Sequence, residues 1–558
     1  MKQAFIGVDV GTASVRAALF DAEGSLIATA RRAIAIWHEA GDIVEQSSAD
    51  IWDACAGAVR AVMQEAALPP ASVKGIGFDA TCSLVVLDRA RDPLSVSLSG
   101  DPRRNVIVWM DHRAVAEANR ISETGDEVLR HVGGIISPEM QTPKLLWLKR
   151  HVPASFREAG HFFDLADFLT FRATGSQARS VCTVTCKWTY LAHERRWSRR
   201  YFERIGLDEL LADDCAQIGQ DIVEPATALG KGLTPESAEA LGLLPGTAVG
   251  AALIDAHAGG VGTIGGQGAD GAPVDLLDRL AYVMGTSACI MATTDAPRFV
   301  PGVWGPYFSA MVPGLWLNEG GQSAAGAALD YLVQSHPASA AAAAAAKAAG
   351  LGLLDVLERR ALARFDSVGN AALLARDLHV LPEFLGNRSP YADPGTRAII
   401  AGLDLDGDVA SLERVFVAAL CGLAYGLADV VDAMRAHGIQ SRMMVISGGA
   451  SRSPLVRQIM ADTTGLCVAL PATTEPVLLG AAMLGAVASG AFASLDVAMT
   501  AMSRLGALTR ATGPDMSRFH AAKRRVYEQM RRLDRDSRAA MQALELPLAT
   551  GPEGARCC

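Results

Sequence analysis

The chain has 558 residues, half of them hydrophobic and one fifth charged, and at about 150 residues per domain it is long enough for more than one core. That apolar content excludes a disordered chain, and a formal net charge of -9 gives no global attraction to nucleic acid or to anionic lipid. Ten scattered cysteines include no Cys-x-x-Cys pair, so they match no zinc-finger pattern and read as reduced, buried thiols, Cys182 and Cys186 included.

The N-terminus runs directly into an apolar, β-branched segment at residues 4–10, with no charged leader and apolar run ahead of it. A cytosolic, cytoplasmic protein is expected. Gly11-Thr12-Ala13-Ser14 marks a turn, 15–20 a second strand, 21–24 a turn and 26–31 a third strand, which makes a three-stranded meander. Short strands are expected at 73–78, 84–87 and 106–109, inside a longer α/β stretch. The phrase returns at 280–293, where Gly285-Thr286-Ser287 separates two apolar runs without a counterpart of Asp9. Two related halves follow, divided near residue 260 in the Gly-rich segment 258–268.

Farther on, Phe416, Leu420, Leu423, Leu427, Val430 and Met434 fall at helical spacing, with Gly438 as the stop. A strand at 443–446 leads to Gly448-Gly449-Ala450, and Ser453-Pro454 reads as the cap and first residue of the next helix. The Ala-rich run 340–346 reads as a surface helix. Residues 477–495 carry no charge and approach the ~20 needed to span a bilayer. Six are Ala, three Gly and two Ser, so the transfer drive is weak. A small-residue helix opening at Glu475-Pro476 and packed in the second core is expected. The Arg-rich stretch 518–538 has an apolar seam of Phe519, Val526, Met530 and Leu533, which predicts a docked amphipathic helix with a solvated basic face. Residues 546–558 are expected to form a disordered tail.

Two segments carry chemistry on their own residues. A Gly-containing turn such as Gly11-Thr12 exposes consecutive backbone N–H groups that can cradle phosphate oxygens, and Asp9 beside it can hold a hydrated Mg²⁺. The apolar run 248–254 delivers Asp255 at a strand end, with small residues beyond it. A carboxylate there can take a hydroxyl proton as the oxygen attacks phosphorus, although a helix cap would place an Asp similarly. His257 reads as a packing or hydrogen-bonding residue.

Residues 9–16, 255–260, Gly285-Thr286-Ser287 and Ser447-Gly448-Gly449-Ala450 occur in the order found in FGGY-family carbohydrate kinases. The chain resembles that family from residue 4 to about 540. Within it, residues 77–84, 109–113, 137–140, 186–190 and 318–323 are most similar to the D-ribulokinase-like pentulose kinase branch.

The resemblance implies an α/β, two-domain actin-like ATPase (ribonuclease H-like) fold with an interdomain cleft. Residues 1–260 would bind sugar and 261–545 would bind ATP. Asp255 would be the general base and Asp9 the Mg²⁺ ligand. Gly11, Thr12, Arg16, Gly285 and Thr286 would meet the phosphates, while Gly326, Gly449 and Ala450 would shape the adenosine pocket. Ser453 stands where relatives often carry Asn, which alters the adenine contact. Cys82, Ser83, Asp111, His112, Lys187, Asp255 and Glu319 would face the sugar. Glycerol-kinase-like relatives have Arg-Glu at the Cys82-Ser83 position, and the smaller neutral pair leaves room for a larger substrate. The expected reaction is ATP- and Mg²⁺-dependent phosphorylation of D-ribulose at its terminal hydroxyl, with L-ribulose, D-xylulose or ribitol as alternative substrates. An actin- or chaperone-like ATPase is the competing class. No nucleic-acid or membrane partner is expected, and a homodimer fits the family.

Overall fold

Residues 3–269 and 271–544 are described by a computed structural model of the chain. Apolar alternation and tight turns fold Ala4–Val10, Ser14–Asp21 and Leu26–Ala33 into an antiparallel meander. Val73–Ala80 lies parallel to Ala4–Val10, and Ala248–Val249 and Leu253–Ile254 both pair parallel with Val73–Ala80, giving six strands.

The second sheet repeats the arrangement. Arg279–Met284 and Ala288–Thr294 are antiparallel neighbours, Trp316–Gln322 and Trp304–Phe308 extend the meander, and Met443–Ser447 runs parallel to Arg279–Met284. Cys467–Pro471 and Leu505–Thr509 complete seven strands. The Gly-Thr turn therefore joins the first two strands of both sheets. Residue 260 itself lies inside a helix, Asp255–Ile264, so the Gly-rich segment is helical as far as residue 264.

A five-stranded sheet orders Trp37–Glu39, Ile43–Gln46, Val106–Ile107, Leu84–Asp88 and Ala159–Asp164. The strand expected at 106–109 stops at Ile107 because the Val108 carbonyl turns to accept from the Asp111 N–H and from Lys144 Nζ.

Helix Val409–Ala436 starts at Asp408, whose side chain accepts from Ser411 N, and is followed by Gly438 at φ +85°. It is long and apolar enough to cross a bilayer, yet 94% of its apolar window is buried within the protein. A helix hydrophobic all round has that use in a large core.

Two packing expectations are corrected. Helix Pro476–Ala488 does not pack in the second core; it lies against Ala4–Val10, Val73–Ala80 and Asp255–Ile264 of the first half. Glycines on those elements allow backbone-to-backbone approach that larger residues would block. Helix Pro514–Gln542 buries Met516, His520, Lys523, Tyr527, Met530 and Asp534, while Leu533 is exposed. Lys523 belongs to the inner face because its Nζ donates to the carbonyls of Ala375 and Leu378. The basic face is partly tied down as well, since Arg524 pairs with Asp429 and Asp432. The tail expected over 546–558 lies outside the described residues.

Candidate active site

Each meander contributes one Gly-Thr turn. The first is closed by Gly11 N–H donating to Ser14 O at 3.0 Å. Its Thr12 is held by Trp109 Nε1, which donates to Oγ1 at 3.0 Å, and by Gln46 Nε2, which donates to the Thr12 carbonyl at 2.7 Å. The second turn is closed by Gly285 N–H on Ser287 O, and the start of helix Gly326–Gln334 sits on it through Gly326 N–H to Gly285 O, 3.0 Å. A Cβ at Gly326 would lie 2.7 Å from that carbonyl oxygen, so the approach needs a glycine. Gly285 and Thr286 are exposed at this turn, where the Gly285 N–H is spent on closing it. Gly448 adopts φ +94° beneath the Met284 carbonyl, whereas Gly449 faces open space.

Three carboxyls gather at neighbouring strand ends. The parallel register places Asp9 opposite Asp79, and Asp79 opposite Leu253, so Asp255 follows immediately at the next strand's end. Asp79 is fully buried, and neither of its oxygens meets an N–H donor. Burial and the adjacent Asp9 hold its carboxyl well above the ordinary range. Burial, then Asp9, also pushes Asp255 up to about 6, although Ala256 N–H donates to its Oδ1 at 2.7 Å. Asp9 Oδ2 accepts from Arg16 Nε at 2.8 Å, and Arg16 Nη1 reaches Glu475 Oε2 at 2.8 Å. Hard carboxylate oxygens at one strand edge fit a Mg²⁺ held by Asp9, with Asp79 beside it.

A second polar cluster reaches Asp255 through Lys187 and through His257, two residues on. Glu319, on strand Trp316–Gln322, accepts from Arg388 Nη2 at 3.0 Å, and its other oxygen lies 3.2 Å from His257 Nε2. Burial alone would raise this carboxyl, but Lys187, His257 and Arg388 outweigh it and hold Glu319 far below the usual range. Lys187 occupies the last turn of helix Val181–Trp188, 4.5 Å above the Trp304 ring, and Arg388 covers the same ring at 4.1 Å. Burial opposes the Lys187 charge, yet the Glu319 carboxylate beside it helps to outweigh that and raise its pKa. Burial also pushes the Cys82 thiol up to about 12, leaving it a neutral wall of the site at physiological pH.

Profiles of the FGGY family of carbohydrate kinases match this chain over both parts: the N-terminal domain over residues 4–262 and the C-terminal domain over residues 280–489. The chain belongs to the FGGY family of carbohydrate kinases. It is similar to the human FGGY carbohydrate kinase domain-containing protein, 48% identical over 509 residues, or 90% of this chain and 91% of that one. It is 36% identical to a D-ribulokinase of Saccharomyces cerevisiae over 517 residues, 88% of this chain and 72% of the yeast protein. Among solved structures, the ligand-bound xylulose kinase of Lactobacillus acidophilus superposes with a TM-score of 0.77 at 18% identity, covering 95% of this chain and 98% of that one. The fold is thus the two-domain actin-like ATPase fold, and the chain is a phosphotransferase.

Within this FGGY kinase, the residues singled out from sequence fall into distinct settings. Lys187 is the shared electrostatic neighbour of Cys82, Asp255 and Glu319. Ser83 Oγ accepts from Trp109 N–H and bonds Thr81. Asp111 is fully buried, and its oxygens accept from Val44 N, Arg113 N and the Arg113 guanidinium. Its acceptor capacity is therefore taken by the protein, not open to a hydroxyl. His112 is exposed. Ser453 caps helix Pro454–Thr464, accepting from Val456 N and donating to Glu358 Oε1 at 2.5 Å, which commits its hydroxyl. Ala450 is half-buried against the second core. Arg16 is clamped between Asp9 and Glu475. Sequence reasoning missed Asp79, Trp304 and Arg388. Asp79 had a signal, since Gly77-Phe78-Asp79 repeats Gly7-Val8-Asp9 and pairs with it in register. Arg388 had none, because it meets Glu319 across 69 residues of chain.

Proposed function

We propose that this sugar kinase transfers the γ-phosphoryl of ATP to the terminal hydroxyl of a pentulose, D-ribulose, with Mg²⁺. The observation that carries the reading is the half-buried Asp255, which has the acidic strand ends beside the phosphate turn as one neighbour and Lys187 of the Lys187–Glu319–Arg388 cluster as another. The similarity to a yeast D-ribulokinase and the small, neutral Cys82-Ser83 pair support the choice of sugar. A chaperone-like ATPase would have no use for a buried cluster of that kind.

In the mechanism, Asp255 accepts the proton of the sugar's terminal hydroxyl as that oxygen forms its bond to the γ-phosphorus. The bond from phosphorus to the bridging oxygen breaks, and ADP leaves with the electron pair. Glu319 accepts from sugar hydroxyls, while Lys187 donates to the carbonyl or a hydroxyl. A site built of such donors and acceptors rejects wrong configurations by leaving buried groups unpaired. Bound Mg²⁺, held by Asp9, would neutralise charge on the phosphate oxygens. Closure of the two halves would exclude water and keep ATP hydrolysis slow without sugar. The reading includes a cytosolic setting, which rests on cysteine usage, and a homodimer, which sedimentation would check.

ADP release measured against D-ribulose, L-ribulose, D-xylulose and ribitol tests the proposal. D-ribulose is expected to give the highest kcat/KM, and absence of sugar-dependent ADP release from all four overturns it. Arg388→Ala is expected to raise the sugar KM by roughly tenfold or more, since a hydrogen bond to a buried charge contributes about 1.5–3 kcal/mol. The KM for ATP should hardly change, and equal loss of both would remove Arg388 from the sugar face.

A further inference from the structure

Two buried cysteines pack beside the helix that carries Asp255 and take no step in the phosphoryl transfer proposed above. Cys182 and Cys186 stand one turn apart in helix Val181–Trp188, so their side chains share a face. Near them is His257 in the first turn of Asp255–Ile264, two residues beyond the base. Cys182 Sγ lies 3.0 Å from His257 Nδ1, and the donor atoms of all three residues lie within 4.8 Å of one another. All three side chains are fully buried. The far ring nitrogen, Nε2, is 3.2 Å from Glu319 Oε2, and Glu319 is itself held by Arg388.

We propose that Cys182, Cys186 and His257 form a binding site for one thiophilic divalent cation of the zinc class. Two sulfurs and an imidazole favour Zn²⁺ or Cd²⁺ over Mg²⁺, whose hard oxygen donors lie instead at the Asp9 edge. Tetrahedral Zn²⁺ with bonds of about 2.3 Å to sulfur and about 2.0–2.1 Å to nitrogen places its ligands roughly 3.5–3.8 Å apart. The cluster can reach that spacing with small side-chain shifts. A carboxylate on the second ring nitrogen is the partner that orients a metal-bound imidazole and raises its basicity, and Glu319 occupies that place. Ile254 N–H also points at Cys182 Sγ from 3.5 Å, a bond that favours the thiolate. On binding, the cation replaces the proton shared by Cys182 and His257, and that proton and the Cys186 thiol proton leave to solvent. The consequence is mechanical: the cation ties the helix bearing Lys187 to the helix bearing Asp255.

The test uses the full chain with Cys557→Ser and Cys558→Ser, so that the terminal thiol pair contributes nothing. After stripping with a chelator, the protein is titrated with Co²⁺ and with Cd²⁺. One equivalent per chain is expected, with sulfur-to-metal charge-transfer absorption and the visible bands of tetrahedral Co²⁺. Cys186→Ser should weaken binding by at least ~10-fold, the smallest loss seen when even an outer partner of a metal ligand is removed. Absence of the charge-transfer band, or a titration unchanged in both Cys182→Ser and Cys186→Ser, overturns the proposal. The spectrum of the parent protein needs neither of those variants, so their failure to fold leaves the test standing.

Discussion

Replacing Asp255 with Asn is expected to lower kcat for sugar phosphorylation by about 10²–10⁴-fold, the contribution of a positioned general base. The substitution keeps the side chain's shape, and the Asn oxygen can still accept from the Ala256 N–H that Asp255 Oδ1 holds at 2.7 Å. Binding of ATP, measured by calorimetry, should therefore survive. The raised pKa makes a second expectation. A carboxyl at about 6 is increasingly protonated as pH falls below that value, and a protonated carboxyl cannot accept the hydroxyl proton. In the wild-type chain kcat/KM should rise with pH through about 6 and level off above it, with a slope approaching tenfold per pH unit on the acid side. The Asn variant should lose that limb. Full activity in the variant, or an acid limb that persists in it, would show that the proton goes elsewhere.

Local chemistry was legible; the destinations of polar side chains were not. The two meanders follow from alternation and from Gly-Thr turns, and Ser453-Pro454 caps its helix as its residue types dictate. These features need only neighbours a few residues away. Asp111 looked available to a sugar because its motif resembles one, but Arg113 and the Val44 amide take its oxygens, and no one-dimensional pattern announces that pairing. Helix Pro514–Gln542 shows the same limit. Its apolar residues predicted one face, yet Lys523 and Asp534 are inside because carbonyls, Arg397 N–H and Arg538 meet them there. Burial of a charge is decided by its partner, and the partner comes from another part of the chain. The acidic strand ends lie between these cases. Asp9 and Asp255 were legible as strand-end residues, and Asp79 joins them only through the register of Val73–Ala80.

Gly480→Val is expected to destabilise the protein by more than the ~1–3 kcal/mol usual for overpacking. A Cβ at Gly480 would lie 1.9 Å from the Ala258 carbonyl oxygen, and one at Gly262 would lie 1.9 Å from the Pro476 carbonyl oxygen. Helices Asp255–Ile264 and Pro476–Ala488 thus cross backbone against backbone. On its other side the second helix is pressed by the sheet: Cβ atoms at Gly7, Gly75 and Gly77 would come within 1.9, 2.0 and 2.0 Å of the carbonyl oxygens of Leu478, Gly485 and Ala481. The obstructing atoms are all helix backbone, which cannot swing aside as a long side chain does. This explains why the segment is free of charge and rich in Ala and Gly, a composition that resembles a membrane span in outline only. It also links packing to catalysis, because the displaced helix carries Asp255, and a misplacement of about 1 Å can lower the rate by about 10²-fold. Thermal unfolding and kcat should therefore fall together in Gly480→Val. Gly57→Ala is the control: its Cβ would meet only the Arg32 side chain at 3.6 Å or beyond, inside helix Ser48–Ala66, where Ala is favoured over Gly by roughly 0.5–1 kcal/mol. A Gly480→Val protein as stable and as active as that control would rule out the close helix crossing.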